Sequence, residues 1–195
     1  MAHSMSARLE TALRLIDAAN SQDPKRENGE PAERLYGHRM SAEAKRLFPE
    51  ASEHLQIAAR GQHVERWLLP RSDYPLGRIG YLEWRKEQGR RHGERIAGIM
   101  READYSEDDA ARVAAMLRKE RLKRDPEVQA LEDIACFVFL TWYFAPFADT
   151  QSAEALDKIV MRTARKMSAE ARARVLREFD LPEQFAKAFR DQGPG

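Results

Sequence analysis

The stretch from Asp125 to Phe147 constrains this chain more than any other. Asp125-Pro126-Glu127 is a strong helix start: a capping carboxylate, a proline where no intrahelical amide bond is lost, and an acid in the first turn. The segment that follows, above all IACFVFLTWYFAPF from Ile134 to Phe147, is apolar on every side. A helix of that kind has to be covered by other elements. The run is shorter than the roughly 20 residues a membrane span needs. It therefore reads as a buried core helix, and no membrane is expected as a partner.

What covers it is expected to be helical as well. Leu9, Leu13, Ile16 and Ala19 recur at helical spacing until Asp23-Pro24 and a polar loop, KRENGEP, stop them. Between Pro31 and Leu47 the pattern breaks at Gly37, where Ser41 can cap a second piece. The pentapeptide MSAEA at 40–44 returns at 167–171, which reads as one good cap used for two helix starts. Pro49 can open a helix running through Trp67, and Leu68 to Gly80 forms a long connection with two prolines and two glycines. From Tyr81 to Ala103 the helical period resumes, with His92, Ile96, Ile99 and Ala103 on one stripe. Ser106 with Asp109 resembles a capping box, and amphipathic helices are expected around 152–166, 168–179 and 182–190, ahead of a frayed tail RDQGPG. No segment alternates as a strand would. The expected fold is all-α, a single compact helical domain over 1–195, with seven to nine helices and no sheet.

With 195 residues and 43% apolar content, such a domain can bury a real core. Its 33 Lys and Arg nearly balance 32 Asp and Glu, so no global field favours duplex DNA or an anionic surface, and any basic site must be local. One cysteine, Cys136, excludes an internal disulfide, and the N-terminus lacks the apolar core of a signal peptide. The cytoplasm is the expected location.

The residues with chemical potential fall in two places. From Gly61 to Arg95, arginines interleave with aromatics: Arg66, Arg71, Arg78 and Arg85 alternate with Trp67, Tyr74, Tyr81 and Trp84. That mixture can grip a phosphate through forked hydrogen bonds while stacking a flat base. The second place is Glu132-Asp133 at the entry to the apolar helix. A carboxylate buried there needs a cation, a histidine or a metal beside it, and His63 and His92 are the nearest candidates by their inward positions.

The motifs QHVERW at 62–67, PRSDYPLGRIGYLEWR at 70–85, His92, QALEDIACFVFL at 129–140 and RTARKMS at 162–168 resemble an uncharacterised family, domain-of-unknown-function family 4202. A more distant resemblance is to the HD-domain superfamily of helical, metal-dependent phosphohydrolases. His92-Gly-Glu-Arg95-Ile96 looks like that superfamily's first histidine, and Asp133 in LEDIACFVF like its last aspartate. The His-Asp doublet is missing; after VAAML stands Arg118-Lys119. The resemblance implies a phosphohydrolase acting on a nucleotide or phosphoester. His63, His92 and Asp133 would hold a divalent metal (Zn, Mn or Fe), Glu132 would orient water, and Lys119 would assist at the phosphate. Arg71, Arg78, Arg85, Tyr74 and Trp84 would bind substrate, and no organic cofactor is expected. The alternative is a metal-free binding module for a nucleotide or an RNA end; a third reading is a structural protein in which His92 and Asp133 are simply paired.

Overall fold

The computed structural model describes residues 6–190 and is all-α, with ten α-helices among the described residues. Its close contacts divide the chain into two compact units, Met1–Glu120 and Arg121–Gly195, where the length alone leads one to expect a single domain.

In the first unit, Ser6 caps α1 (Ala7–Asn20) by accepting from the Leu9 amide, and Leu9, Ala12, Ile16 and Ala19 are buried. The polar loop that follows is not structureless. Asn28 and Gly29 both have positive φ (52° and 82°), which turns the chain into a minimal hairpin of β1 (Arg26–Glu27) and β2 (Glu30–Pro31), with Arg26 opposite Pro31. Asn-Gly is the dipeptide that favours this turn, because both positions tolerate the left-handed backbone. The expectation of no sheet is corrected by these four residues.

Helix α2 (Ala32–Leu47) runs unbroken through Gly37. The glycine serves packing: a Cβ there would lie 2.8 Å from the Arg60 carbonyl oxygen on the neighbouring helix. Ser41 accordingly caps nothing and accepts from Arg60 Nε at 2.7 Å. Helix α3 (Glu53–Arg60) begins at its cap Ser52 and stops at Gly61, short of the expected Trp67. The residues after it form turns, with Glu65 left-handed (φ 51°) before a 3-10 turn at Arg66–Leu68. His63 therefore sits on a turn.

A second 3-10 turn, Arg71–Asp73, leads to α4 (Arg78–Glu102), which packs along α5 (Glu107–Leu117). Gly93 makes this close pairing possible, since a Cβ would lie 3.0 Å from the Ala114 carbonyl. The capping box of Ser106 and Asp109 is formed as expected.

In the second unit, Asp125 caps α6 (Pro126–Val138) by accepting from the amides of Glu127 and Val128. A π turn over Phe139–Tyr143 carries the helix on into α7 (Phe144–Ala148). The continuous span Pro126–Ala148, 23 residues, is by length and composition sufficient to cross a membrane, and 50% of its apolar window is buried within the protein. Helices α8 (Ala153–Lys166), α9 (Ala169–Glu178) and α10 (Glu183–Arg190) complete the unit, the first two capped by Ser152 and Ser168. Of the two MSAEA serines, only Ser168 is a cap. The tail beyond Arg190 lies outside the described residues.

Candidate functional site

Two buried polar side chains at the end of α1 set up the site. Asp23 accepts from the backbone amides of Lys25 (2.9 Å) and Glu33 (2.9 Å), capping the start of α2 from a distance where Pro31 offers no side-chain bond. Asn20 accepts from the amide of Glu65 at 2.9 Å and so pins the turn that carries His63. Glu33 and Tyr36, three residues apart on α2, then face the same place. The Tyr36 ring stacks on His63 with centroids 3.8 Å apart and planes within 9°. Glu33 Oε2 lies 3.3 Å from His63 Nδ1.

His92, buried on α4, has its ring centroid 6.4 Å from that of His63. The Nδ1 atoms of both rings are buried and make no hydrogen bond. Burial, then the charges of Arg66, Lys119 and Arg85, hold His63 well below the ordinary imidazole pKa. His92 is pushed down to about 3, first by burial and then by His63. Burial raises Glu33 above the ordinary carboxylate value, with Arg66 and His92 opposing. At neutral pH both rings are neutral imidazoles.

These histidines line a cleft of about 840 Å³ that runs along α4. Its walls carry Arg66, Arg85, Lys86, Arg90, Arg118 and Lys119 against Glu83, Glu87 and Glu120. Arg90 is paired with Glu87 and Glu94, and Arg118 with Glu120. The Arg66 guanidinium lies 5.0 Å from the Trp84 ring centroid, and that of Arg85 5.9 Å from Tyr81, with no carboxylate bridging either among the described residues. Trp84 is fixed in turn by donating to the Leu69 carbonyl (2.9 Å), and Gln88 donates to the carbonyls of Arg66 and Leu69, both at 3.0 Å. Lys119, held at φ 59° just past the end of α5, donates to Gln62 Oε1 at 3.2 Å.

Of the residues expected from sequence, this cleft gathers His63, His92, Lys119, Arg85, Tyr74 and Trp84. Arg71 is a different kind of residue from the one expected. Its guanidinium donates to the carbonyls of Tyr74, Pro75 and Gly77 and knots the loop together. Arg78 is exposed at the first residue of α4 and does not line the cleft. Asp133 and Glu132 belong to the second unit. The Asp133 carboxylate accepts from the Ser168 amide (2.8 Å), the Ser168 hydroxyl (2.7 Å) and Gln129 (3.1 Å), anchoring the start of α9. Burial raises its pKa against these bonds. Buried Glu132 has Lys166 Nζ 3.7 Å from its Oε1. Among the described residues no group of three His, Cys, Asp or Glu converges as a metal ligand set. Arg66, one of the interleaved arginines, is in the cleft as well, and Glu33, Tyr36 and Gln62 join the site without having been expected there; the one available hint was the Glu33-to-Tyr36 spacing ahead of an inward histidine.

The fold is all-α, and its cleft is locally basic and aromatic-walled. The chain belongs to the domain-of-unknown-function family DUF4202, whose model matches residues 10–188. No curated protein and no solved structure matches it.

Proposed function

We propose that the cleft along α4 binds a phosphate-bearing ligand with a flat ring, a nucleotide or nucleotide-like phosphoester. One observation carries this reading: Arg66 and Arg85, each lying against an aromatic ring, share a cleft with Lys119 and with two uncharged imidazoles. Guanidinium groups grip phosphate oxygens in pairs, and Tyr74, Tyr81 and Trp84 supply edges and faces for a base. The local excess of cations answers the near-zero net charge of the whole chain, since a single anionic ligand needs only a local field.

Calorimetric titration with a panel of nucleoside mono-, di- and triphosphates tests the reading. Arg85→Ala is expected to weaken the best ligand by roughly ten- to hundredfold, the worth of one charge-assisted contact at about 1.5 to 3 kcal/mol. A panel without any binder overturns it. A short RNA with a terminal phosphate belongs in the same panel, because the same contacts would hold an RNA end. The HD-like alternative, a metal-dependent hydrolase, requires His63, His92 and Asp133 to act as one ligand set. Stoichiometric Zn, Mn or Fe lost in both His92→Ala and Asp133→Ala would favour it over metal-free binding.

A further inference from the structure

Glu33, His63 and Tyr36 form an arrangement that ligand binding alone does not require. Tyr36 fixes the plane of the His63 ring. Glu33 Oε2 stands 3.3 Å from the buried Nδ1 without a formed hydrogen bond, and its charge favours the ring's proton on that side, which leaves the lone pair on Nε2. The half-buried ring lines the cleft, with Arg66, Arg85 and Lys119 along the same walls. A carboxylate beside one imidazole nitrogen, in a cleft whose walls also carry cations, supplies the parts of an activated nitrogen nucleophile near an anion site.

We propose that His63 is a phosphoryl-accepting nucleophile oriented by Glu33, and that the cleft transfers phosphoryl groups from phosphoesters or phosphoanhydrides without a metal ion. The proposal rests on the reading of the cleft as a phosphate site. In the first step His63 Nε2 bonds to phosphorus and the bond to the leaving oxygen breaks. That oxygen departs with the bonding pair and takes its proton from solvent. In the second step a water oxygen bonds to phosphorus and the N–P bond returns its pair to Nε2. Phosphate leaves, and the surplus proton goes to solvent. Nothing is oxidised or reduced. Arg66, Arg85 and Lys119 hold the phosphoryl oxygens; burial first, and these charges after it, keep the ring unprotonated and therefore nucleophilic before the ligand arrives. Glu33 is a positioning residue that acts through His63.

The test is intact-mass spectrometry of the full chain after incubation with para-nitrophenyl phosphate and, separately, with adenosine and guanosine triphosphates, all in excess chelator. The expected result is one added phosphoryl group, labile to acid and stable to base, mapped to His63. It should be absent in His63→Asn, while calorimetry shows that this variant still binds the nucleotide. Glu33→Gln should slow phosphoenzyme formation on the order of a hundredfold with unchanged nucleotide affinity, and Glu33→Asp should recover part of the rate. Nucleotide binding without any phosphoenzyme or phosphate release overturns this proposal and leaves the binding reading standing; absence of binding removes both. A phosphoryl group on another residue, or turnover that the chelator abolishes, overturns the His63 assignment. If His63→Asn loses its helical circular-dichroism signal, the mapped position in the wild-type chain and the Glu33→Gln rate decide the matter.

Discussion

Asn20 and Glu65 are joined by one hydrogen bond, 2.9 Å from the Glu65 amide to the Asn20 side-chain oxygen, and the turn between α3 and α4 depends on it. Asn20 is buried and Glu65 is left-handed, so the bond holds an unfavourable backbone in place two residues beyond His63. Asn20→Ala should destabilise the protein by about 1 to 3 kcal/mol, because a part-buried amide is left without its acceptor. Urea denaturation measures the loss, and a change under about 0.5 kcal/mol, the scatter of ordinary surface substitutions, would show the turn to be held by other means.

Lys119 occupies a position where glycine would be at ease. Its φ of 59° just past α5 is the left-handed conformation in which a side chain is strained, yet its ammonium reaches Gln62 in the cleft. Lys119→Gly is expected to raise stability by about 1 kcal/mol through relief of that strain. The same variant should bind the cleft's ligand roughly tenfold or more weakly. Melting curves and calorimetry on one sample check both signs; a variant that is both weaker-folding and equally good at binding contradicts the account.

His92 gives the protein a definite response to acid. Its folded-state pKa of about 3 lies below the ordinary 6.5, with burial as the first cause and His63 as the second. Between those values the unfolded chain binds a proton that the folded chain refuses. The stabilising contribution of the neutral ring is complete above about 6.5 and is lost as pH falls from there toward 3. Glu33, held above the ordinary 4.5 by burial, works in the opposite sense: its contribution is gained as pH falls through its raised value toward 4.5. Denaturation midpoints at pH 7 and pH 5 should differ more in the wild-type chain than in His92→Gln, which keeps the bulk and removes the titration.

Asp133→Ala should act on the second unit. Three donors lose their acceptor at once, two of them from Ser168 at the start of α9. The expected cost is about 3 kcal/mol or somewhat more, the range for breaking a buried charged cluster. Nucleotide affinity should be unchanged while the protein remains folded. An affinity loss with no change in stability would instead restore Asp133 to the ligand site, as the HD-like reading requires.

The caps and the buried stripes were legible in the sequence: Ser106 with Asp109, Asp125-Pro126, Ser168, and the His92–Ile96–Ile99 stripe all stand where periodicity and cap chemistry put them. Gly37 misled because a glycine inside a helix can mark a break or a close neighbour, and the neighbour, the Arg60 carbonyl, is distant in sequence. The hairpin at Asn28-Gly29 carries its turn dipeptide in the sequence, but its strands are two residues each, too short to show alternation, so the run reads as loop. The aromatic and cationic half of the site was visible as composition, but Arg71 shows the limit: a guanidinium can grip a ligand or three carbonyls of its own loop, and spacing does not distinguish the two. Glu33 was out of reach, because its meeting with His63 depends on Asp23 and Asn20, two polar residues whose burial no local pattern announces.

The π turn at Phe139–Tyr143 has a consequence for heredity as well as for packing. A π turn holds one residue more than the α-helical path would, so the span from α6 into α7 has the form of a helix that has absorbed an insertion. Deleting Thr141 would give back a regular helix at little local cost. Five residues of π turn cover about the same arc as four α-helical ones, so everything after the deletion would keep its face. Phe144 and Phe147, now edge-on to Phe139 at 5.9 and 6.2 Å, and Phe144 against Phe185 at 5.8 Å, would stay on the faces that meet their partners. The single extra residue is thus a length tolerance written into the helix: a residue can be gained or lost at this place while the aromatic packing beyond it stays in register.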